Sequence, residues 1–516
     1  MKVACTVLEG ESGGNPADLL RYQSLRANCY HKIRLYHYAT KNNRTQEEQK
    51  TLQDCYESNK PEFVAVYGRR RIGKTFLVKQ FFKEKFDFYF TGAYQATKKD
   101  QLFNFKMTLE SYSGVKRKTP QTWLEAFFQL KDYLASLGDR RKVVFIDELP
   151  WFDTPRSNFI SAIELFWNQW ASDQNLMLVV CGSATSWMVN KLLGDKGGLH
   201  NRVTRSIYLA PFSLGETEEF LQNNHIVFNR HQTVECYMML GGTPYYLNML
   251  KTHLSLAQNI NKLFFEENGE LRREFDFLFR SLFKDSRNYR KVVEILSQKA
   301  KGLTRQDIIR ECKIPDNGGL SEVLDDLCNC DFIRRYYPIN KKQRDAVYQL
   351  TDLFSLFHLR YIKNSTGMDD TFWTDTIDSP SHRAWCGYAF EQVCLHHIRQ
   401  IKRALGIEGV QASICSWSAP ASVDSEGKKR EGAQIDLVID RRDQTINLCE
   451  MKFSMKPFEI TPSYLEHIIY RRELFRETTG TSKALHLTFV TTYGVARNAQ
   501  YGMIQSEITM DDLFKQ

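Results

Sequence analysis

The fold is decided by Phe63-Val64-Ala65-Val66-Tyr67-Gly68-Arg69-Arg70-Arg71-Ile72-Gly73-Lys74-Thr75-Phe76-Leu77-Val78. Its first five residues are apolar without alternation, as in a short strand buried on both faces of a parallel sheet. The next eight match G-x-x-x-x-G-K-[ST], and a helical stretch runs on through Phe82. Strand, loop and helix in this order have a physical use. Glycines let the loop wrap so that backbone N–H groups and the helix N-terminus point at a β-phosphate. Lys74 then reaches the β and γ oxygens, and the Thr75 hydroxyl is a ligand for Mg²⁺. ATP and Mg²⁺ are therefore the expected cofactors, held by Gly68, Arg69, Arg70, Arg71, Ile72, Gly73, Lys74 and Thr75.

Outward from this loop, the apolar run Val143 to Ile146 ends in Asp147 and Glu148. Asp147 is expected to hold Mg²⁺ through water, and Glu148 to act as general base towards the attacking water. The run Leu178 to Cys181 ends in Gly182-Ser183, where Ser183 is placed to sense the γ-phosphate. Arg202 and Arg205 precede the next run and suit an arginine finger, within the chain or across a homo-oligomer interface; surface salt bridges are the plain alternative. Further short runs, Phe86 to Phe90, Leu176 to Cys181 and Ser206 to Leu209, are separated by helical patterns. Strands alternating with helices predict an α/β layer with a parallel sheet.

Residues 1–45 lack sustained periodicity and are expected to be a poorly ordered leader or the product of a wrongly chosen start site. An amphipathic helix follows from Gln46. After Pro211 the pattern turns helical, with one interruption at Gly241-Gly242-Thr243-Pro244, which predicts a helical lid closing a unit over 46–285. Over 286–362, three short helices (Asn288 to Ala300, Thr304 to Cys312, Gly318 to Cys328) precede two strands (Phe332 to Pro338, Ala346 to Leu350). They flank the basic turn Asn340 to Arg344, the order of a winged helix. Lys341, Lys342 and Arg344 could contact a DNA backbone, or the unit could be a packing module that couples nucleotide state to a neighbour.

The Thr, Asp, Gly and Pro content of 363–381 predicts a linker. A second α/β unit spans 382–516, with a helix from Ala384 to Leu405 and a hairpin of Gln434 to Asp440 and Ile446 to Ser454. Strand period two puts Glu450 and Lys452 on one face, and hairpin pairing can bring Asp436 alongside. Two carboxylates and a lysine then converge. The plain alternative is a charged hairpin with an ordinary salt bridge. His396 and His397 point about 100° apart on a helix, so they cannot share a metal and are read as surface histidines.

Bulk properties narrow the class. At 516 residues, with 42% hydrophobic and 25% charged residues, the chain suffices for several full cores. The net charge of +9 is a mild basic excess, compatible with nucleic acid without demanding it. Twelve scattered cysteines without a CxxC pair fit a reducing compartment and buried thiols, and argue against zinc. No signal-peptide core and no long apolar stretch is visible, so a cytoplasmic location without membrane contact is expected.

Four motifs together, Gly68 to Thr75, Asp147 to Pro150 (DELP), Gly182 to Met188 (GSxxSxM) and Gly241 to Leu247 (GGxPxYL), resemble the prokaryotic AAA-type ATPases of the additional-strand P-loop class. In these a winged helix and a nuclease-like C-terminal domain follow the ATPase. The resemblance covers nearly everything after residue 45. The usual leading Gly-Arg-Glu segment is only approximated by Asn43 to Glu47. The set Asp436, Glu450 and Lys452 resembles the PD-(D/E)xK nucleases, and Glu391 matches the helical acid of that superfamily. The resemblance implies that Glu391, Asp436 and Glu450 bind Mg²⁺ and that Lys452 helps activate water. Two functions are compatible with this: ATP-dependent DNA binding and cleavage, or a nucleotide-controlled regulatory switch whose C-terminal domain grips nucleic acid or protein without cutting.

Overall fold

The computed structural model describes residues 44–194, 199, 201–283, 285–339, 345–363, 370–423 and 429–515. Residues 1–43 of the leader expected over 1–45, and the basic turn Asn340 to Arg344 with Lys341, Lys342 and Arg344, lie outside the described residues, while Arg44 and Thr45 already belong to a helix.

Helix α1 (Arg44–Glu57) leads into β1 (Glu62–Tyr67), the phosphate loop and α2 (Lys74–Phe81). Strands β2 (Phe88–Thr91), β3 (Lys142–Asp147), β4 (Leu176–Gly182) and β5 (Arg205–Tyr208) complete a sheet of order β2-β3-β4-β1-β5. Every pairing in it is parallel. Between the strands lie α3 (Lys98–Ser113), α4 (Trp123–Ser136) and α5 (Phe159–Gln169).

Alternate residues of β1 show why the run had to be apolar throughout. Phe63 and Ala65 enter a core with Leu102, Trp123 and Ile163 from α3, α4 and α5. Val64 and Val66 enter another, with Leu52 and Leu77 from α1 and α2. Complete burial of Phe63 alone contributes about 1.5–3 kcal/mol. The strand read as Phe86 to Phe90 begins instead at Phe88. Phe86 packs from the preceding loop against Phe82 and Phe145.

The helical stretch expected to form a lid contains α6 (Leu214–Asn223), α7 (Arg230–Leu240) and α8 (Glu274–Leu282). Gly241 and Gly242, both with φ near +65°, end α7; a Cβ on Gly242 would sit 2.3 Å from the Phe212 carbonyl oxygen. Helix α9 (Arg287–Ser297), β6 (Leu303–Thr304), α10 (Arg305–Cys312), α11 (Gly318–Asn329), β7 (Ile333–Tyr336) and β8 (Val347–Leu350) come next. The three strands form an antiparallel sheet of order β6-β8-β7. The two-residue β6 is too short for any periodicity to show.

The stretch 363–381 differs from a linker over its described second half. Phe372–Thr376 (α12) is a helix whose Trp373 is 3% exposed, packed on Phe357, Tyr361 and Trp385. Two adjacent aromatic anchors, Phe372 and Trp373, outweigh the turn-forming composition around them. The helix expected over 384–405 is two helices, α13 (Pro380–His396) and α14 (Ile398–Ala404), broken at His397.

His397 is not a surface residue. Its Nδ1–H donates to the Val393 carbonyl at 2.7 Å, and its Nε2 accepts the Leu214 N–H at 2.9 Å. Burial pushes its pKa down to about 4, so the ring is a neutral bridge between the lid and the C-terminal unit.

That unit is built on a sheet of β9 (Ala412–Ala419), β10 (Ala433–Arg441), β11 (Thr445–Lys452), β12 (Ala484–Thr491) and β13 (Ser506–Thr509), in order β13-β12-β11-β10-β9. The β9, β10 and β11 pairings are antiparallel; β12 and β13 join in parallel. Leu437, Cys449 and Met451 face α13, whereas Ile435, Leu448 and Leu487 face α15 (Pro462–Thr479).

Candidate functional site

The first site lies at the carboxyl edge of the parallel sheet, where β4, inserted between β1 and β3, brings three loops together. Gly68 (φ +142°) and Gly73 (φ +89°) hold backbone conformations that a side chain rarely adopts. A Cβ on Gly68 would stand 2.2 Å from the Leu209 carbonyl oxygen, so the loop's entry tolerates no substituent. Ile72 is buried in the core of α1 and α2, which anchors the loop rather than facing a ligand.

Lys74 is buried, and its ammonium donates to the carbonyl oxygens of Gly68 at 2.9 Å and Arg69 at 2.6 Å. Burial depresses its pKa, which neighbouring Glu148 and Asp147 partly restore. Thr75 Oγ1 donates to Asp147 Oδ1 at 3.1 Å, so the two oxygens expected to share a cation already adjoin. Burial, then the Glu148 charge, raises the Asp147 pKa, as suits a carboxylate set up for a cation. Glu148 sits in the left-handed region (φ 51°), and its Oε1 accepts the Ser183 hydroxyl at 2.9 Å. The glycine-rich turn, an ammonium that among the described residues bonds two carbonyls, and the paired hydroxyl and carboxylate fit a magnesium nucleotide.

Arg202 and Arg205 are exposed, and among the described residues no hydrogen bond or ion pair joins them to this loop. The side chains of Arg69 and Arg71 leave the loop. Arg69 forms a buried ion pair with Asp352 at 2.6 Å and lies over the Phe332 ring. Arg71 makes two bonds to Glu274, at 2.9 and 3.1 Å, and stacks on Tyr245 at 3.9 Å. They reach carboxylates more than 200 positions downstream, contacts no local pattern encodes. Arg70 is half-buried. Beside the Arg69 pair lies a cavity of about 770 Å³, lined by Glu47, Pro211, Tyr237, Asp331 and His396. Sequence reasoning also missed Cys181, buried at the end of β4 close enough to Asp147 for the two to feel each other's charge.

The second set of predicted residues gathers in the C-terminal unit. Leu437 pairs with Cys449, and that register extended by one places Asp436 opposite Glu450. Lys452 Nζ contacts Glu450 Oε1 at 2.9 Å, and Arg471 from α15 contacts Oε2 at 2.9 Å. Tyr464 donates to Glu450, and the Gln434 amide donates to Asp436. Burial pushes Glu391 up to about 8, with the Asp436 charge adding to it; Asp436 is raised by burial as well. Burial would raise Glu450 too, but the Lys452 and Arg471 charges hold it below its ordinary value. Two half-buried acids with raised pKa beside a carboxylate–lysine pair form an electron-rich set suited to a hard cation. The partners Arg471, Tyr464 and Gln434 went unread, since only the fold brings α15 over the hairpin.

Residues 43–250 match the model of a family described as an ATPase domain predominantly from Archaea. The chain is similar to an uncharacterized protein of Methanocaldococcus jannaschii, MJECL04, at 27% identity over 83% of this chain and 90% of that one. Among solved structures it is similar to the Walker-type ATPase PABY2304 of Pyrococcus abyssi, with 17% identity over 61% of this chain and 95% of the other and a TM-score of 0.46. The ORC2 protein of Aeropyrum pernix, in its ADPNP–ADP complexes, gives 11% identity over 62% and 93%, with a TM-score of 0.40. No helix among the described residues is long and apolar enough to cross a membrane. The match supports an ATPase domain over residues 43–250, with ATP binding and hydrolysis as its activity.

Proposed function

We propose that ATP turnover at the phosphate loop controls Mg²⁺-dependent DNA cleavage at the C-terminal carboxylates. Bound magnesium–ATP supplies a reactive phosphoanhydride and a charge-neutralising cation. The loop N–H groups and Lys74 hold the phosphate oxygens, and Thr75 and Asp147 hold the cation. Glu148 takes the proton of the attacking water, and Ser183 orients Glu148 through its hydrogen bond. In the C-terminal unit, Glu391, Asp436 and Glu450 would hold Mg²⁺, and Lys452 would position the attacking water.

The observation that carries the reading is the convergence of Asp436, Glu450 and Lys452 on adjacent strands with Glu391 on the helix beneath, where its pKa responds to the Asp436 charge. Coupling has a physical route. Arg69 bonds Asp352 at the end of the antiparallel sheet unit, proposed here to be a winged helix. On β7 of that unit, half-buried Arg334 lies close enough to feel the Asp436 charge, and the Ile339 N–H donates to the Ser416 carbonyl of β9. The mild basic excess supports DNA as the polyanion.

One feature favours the alternative of a nucleotide-controlled switch that binds without cutting. Both oxygens of Glu450 are already engaged, by Lys452, Arg471 and Tyr464, which competes with a metal. The two readings separate on Mg²⁺-dependent cleavage by wild type and Asp436→Ala. Cleavage lost in the variant supports the nuclease; DNA binding without cleavage in either protein supports the switch.

A further inference from the structure

Helices α7 and α13 pack against each other between the lid and the C-terminal unit. Each presents a pair of metal-binding side chains at i, i+4 spacing, which puts both members on one helix face: His231 and Glu235 on α7, His382 and Cys386 on α13. A ligand atom from each of Glu235, His382 and Cys386 lies within 4.8 Å of the others. We propose that these three residues bind a zinc ion that pins the lid to the C-terminal unit.

The geometry is close to what zinc requires. Sulfur and nitrogen ligands at about 2.3 and 2.0 Å from a tetrahedral ion stand roughly 3.6 Å apart. Cys386 Sγ and His382 Nε2 are 3.6 Å apart. The donor set of one thiolate, one imidazole and one carboxylate is too soft for Mg²⁺ and suits Zn²⁺. Burial is arranged as for a structural ion, with Cys386 2% and His382 9% exposed. Glu235 is three-quarters removed from solvent, and among the described residues no lysine or arginine is paired with it.

His231 flanks the site. Its ring is 5% exposed, tilted against Phe453 and stacked on Tyr493 of the C-terminal unit, and its Nδ1 is 3.8 Å from Glu235 Oε2. At that separation it makes no hydrogen bond to the carboxylate and only adjoins it. Spacing along the chain argued against zinc because the ligands come as two half-sites on distant helices. The cysteine count alone cannot show this. The consequence is positional: Cys386 and Glu391 share α13, so the ion fixes the helix that carries one of the proposed catalytic acids. The site itself does not depend on the nuclease reading.

The test uses the full chain, stripped with a chelator and reloaded with Zn²⁺ or Co²⁺ alone. Expected are about one tightly held zinc per chain by elemental analysis and, with Co²⁺, a near-ultraviolet thiolate-to-metal charge-transfer band that Mg²⁺-type carboxylate sites do not give. Cys386→Ser abolishes the band, whereas Cys415→Ser, at a half-buried thiol elsewhere, retains it. Should Cys386→Ser fold poorly, Glu235→Gln lowers zinc affinity at least about tenfold with an unchanged far-ultraviolet spectrum. A reloaded protein that retains less than about a tenth of an equivalent of zinc overturns the proposal. So does a band that survives Cys386→Ser, or an affinity that Glu235→Gln leaves unchanged.

Discussion

Arg69, the residue that follows the first glycine of the phosphate loop, is bonded at 2.6 Å to Asp352, at the N-terminus of the short helix Leu353–Phe357. Both side chains are almost fully buried. Asp352 also caps that helix, accepting the Ser355 N–H at 3.0 Å. A displacement of the loop therefore acts directly on a helix beyond the lid.

Removing one partner strands the other charge. Asp352→Asn is expected to destabilise the chain by about 3–5 kcal/mol in urea unfolding, whereas Arg69→Met with Asp352→Leu together costs far less. A single-variant loss below about 1 kcal/mol would show that the pair is solvated in solution.

The nucleotide site makes a second, separable prediction. Lys74→Ala should abolish measurable ATP binding in calorimetry. Glu148→Gln should keep wild-type affinity and lower turnover by about 10²-fold or more, since it retains shape and removes the base. Ser183→Ala, which releases the Glu148 carboxylate, should lower kcat with little change in affinity. Wild-type turnover in Glu148→Gln would place the base elsewhere.

Glu391 offers a pH test. Its folded pKa of about 8 exceeds the ordinary carboxyl value, mainly through burial, so the folded state holds a proton that the unfolded chain releases. Its contribution to stability is then lost progressively as pH rises from about 4.5 to 8. Glu391→Gln should be more stable than wild type at pH 8.5, by on the order of 1–3 kcal/mol, and the difference should vanish near pH 4.5. Mg²⁺ should raise the wild-type melting temperature more at pH 8 than at pH 6, because the cation competes with that proton. Equal Mg²⁺ shifts at both values, or a variant less stable at pH 8.5, would count against a cation at Glu391.

DNA affinity should fall steeply with salt, since each phosphate neutralised releases counterions. A binding constant unchanged between about 50 and 200 mM salt would contradict phosphate contacts as the source of DNA affinity.

What could be read along the chain was what is locally encoded. The apolar run before Gly68 has to be a buried parallel strand, the glycines have to turn, and Asp147 follows its own apolar run, so this edge of the sheet was legible. Strand period two likewise anticipated that Glu450 and Lys452 share a face. Long-range polar pairs left no such trace. Arg69 and Arg71 read as phosphate-loop residues holding the nucleotide because Asp352 and Glu274 become their neighbours only in the fold. His397 looked like one of a surface pair because the Leu214 N–H that fixes it comes from the lid. Trp373 was hidden in a turn-rich stretch because composition averages over the one side chain that anchors it.

The central claim, that the nucleotide site governs a metal-dependent nuclease, is tested most directly by incubating the purified chain with linear, circular and single-stranded DNA and Mg²⁺, with and without ATP, beside Asp436→Ala and Lys74→Ala. The account predicts cleavage that Asp436→Ala abolishes and whose ATP dependence Lys74→Ala removes. Cleavage that persists unchanged in Asp436→Ala, or no cleavage of any of these DNAs by a chain that hydrolyses ATP, would contradict it.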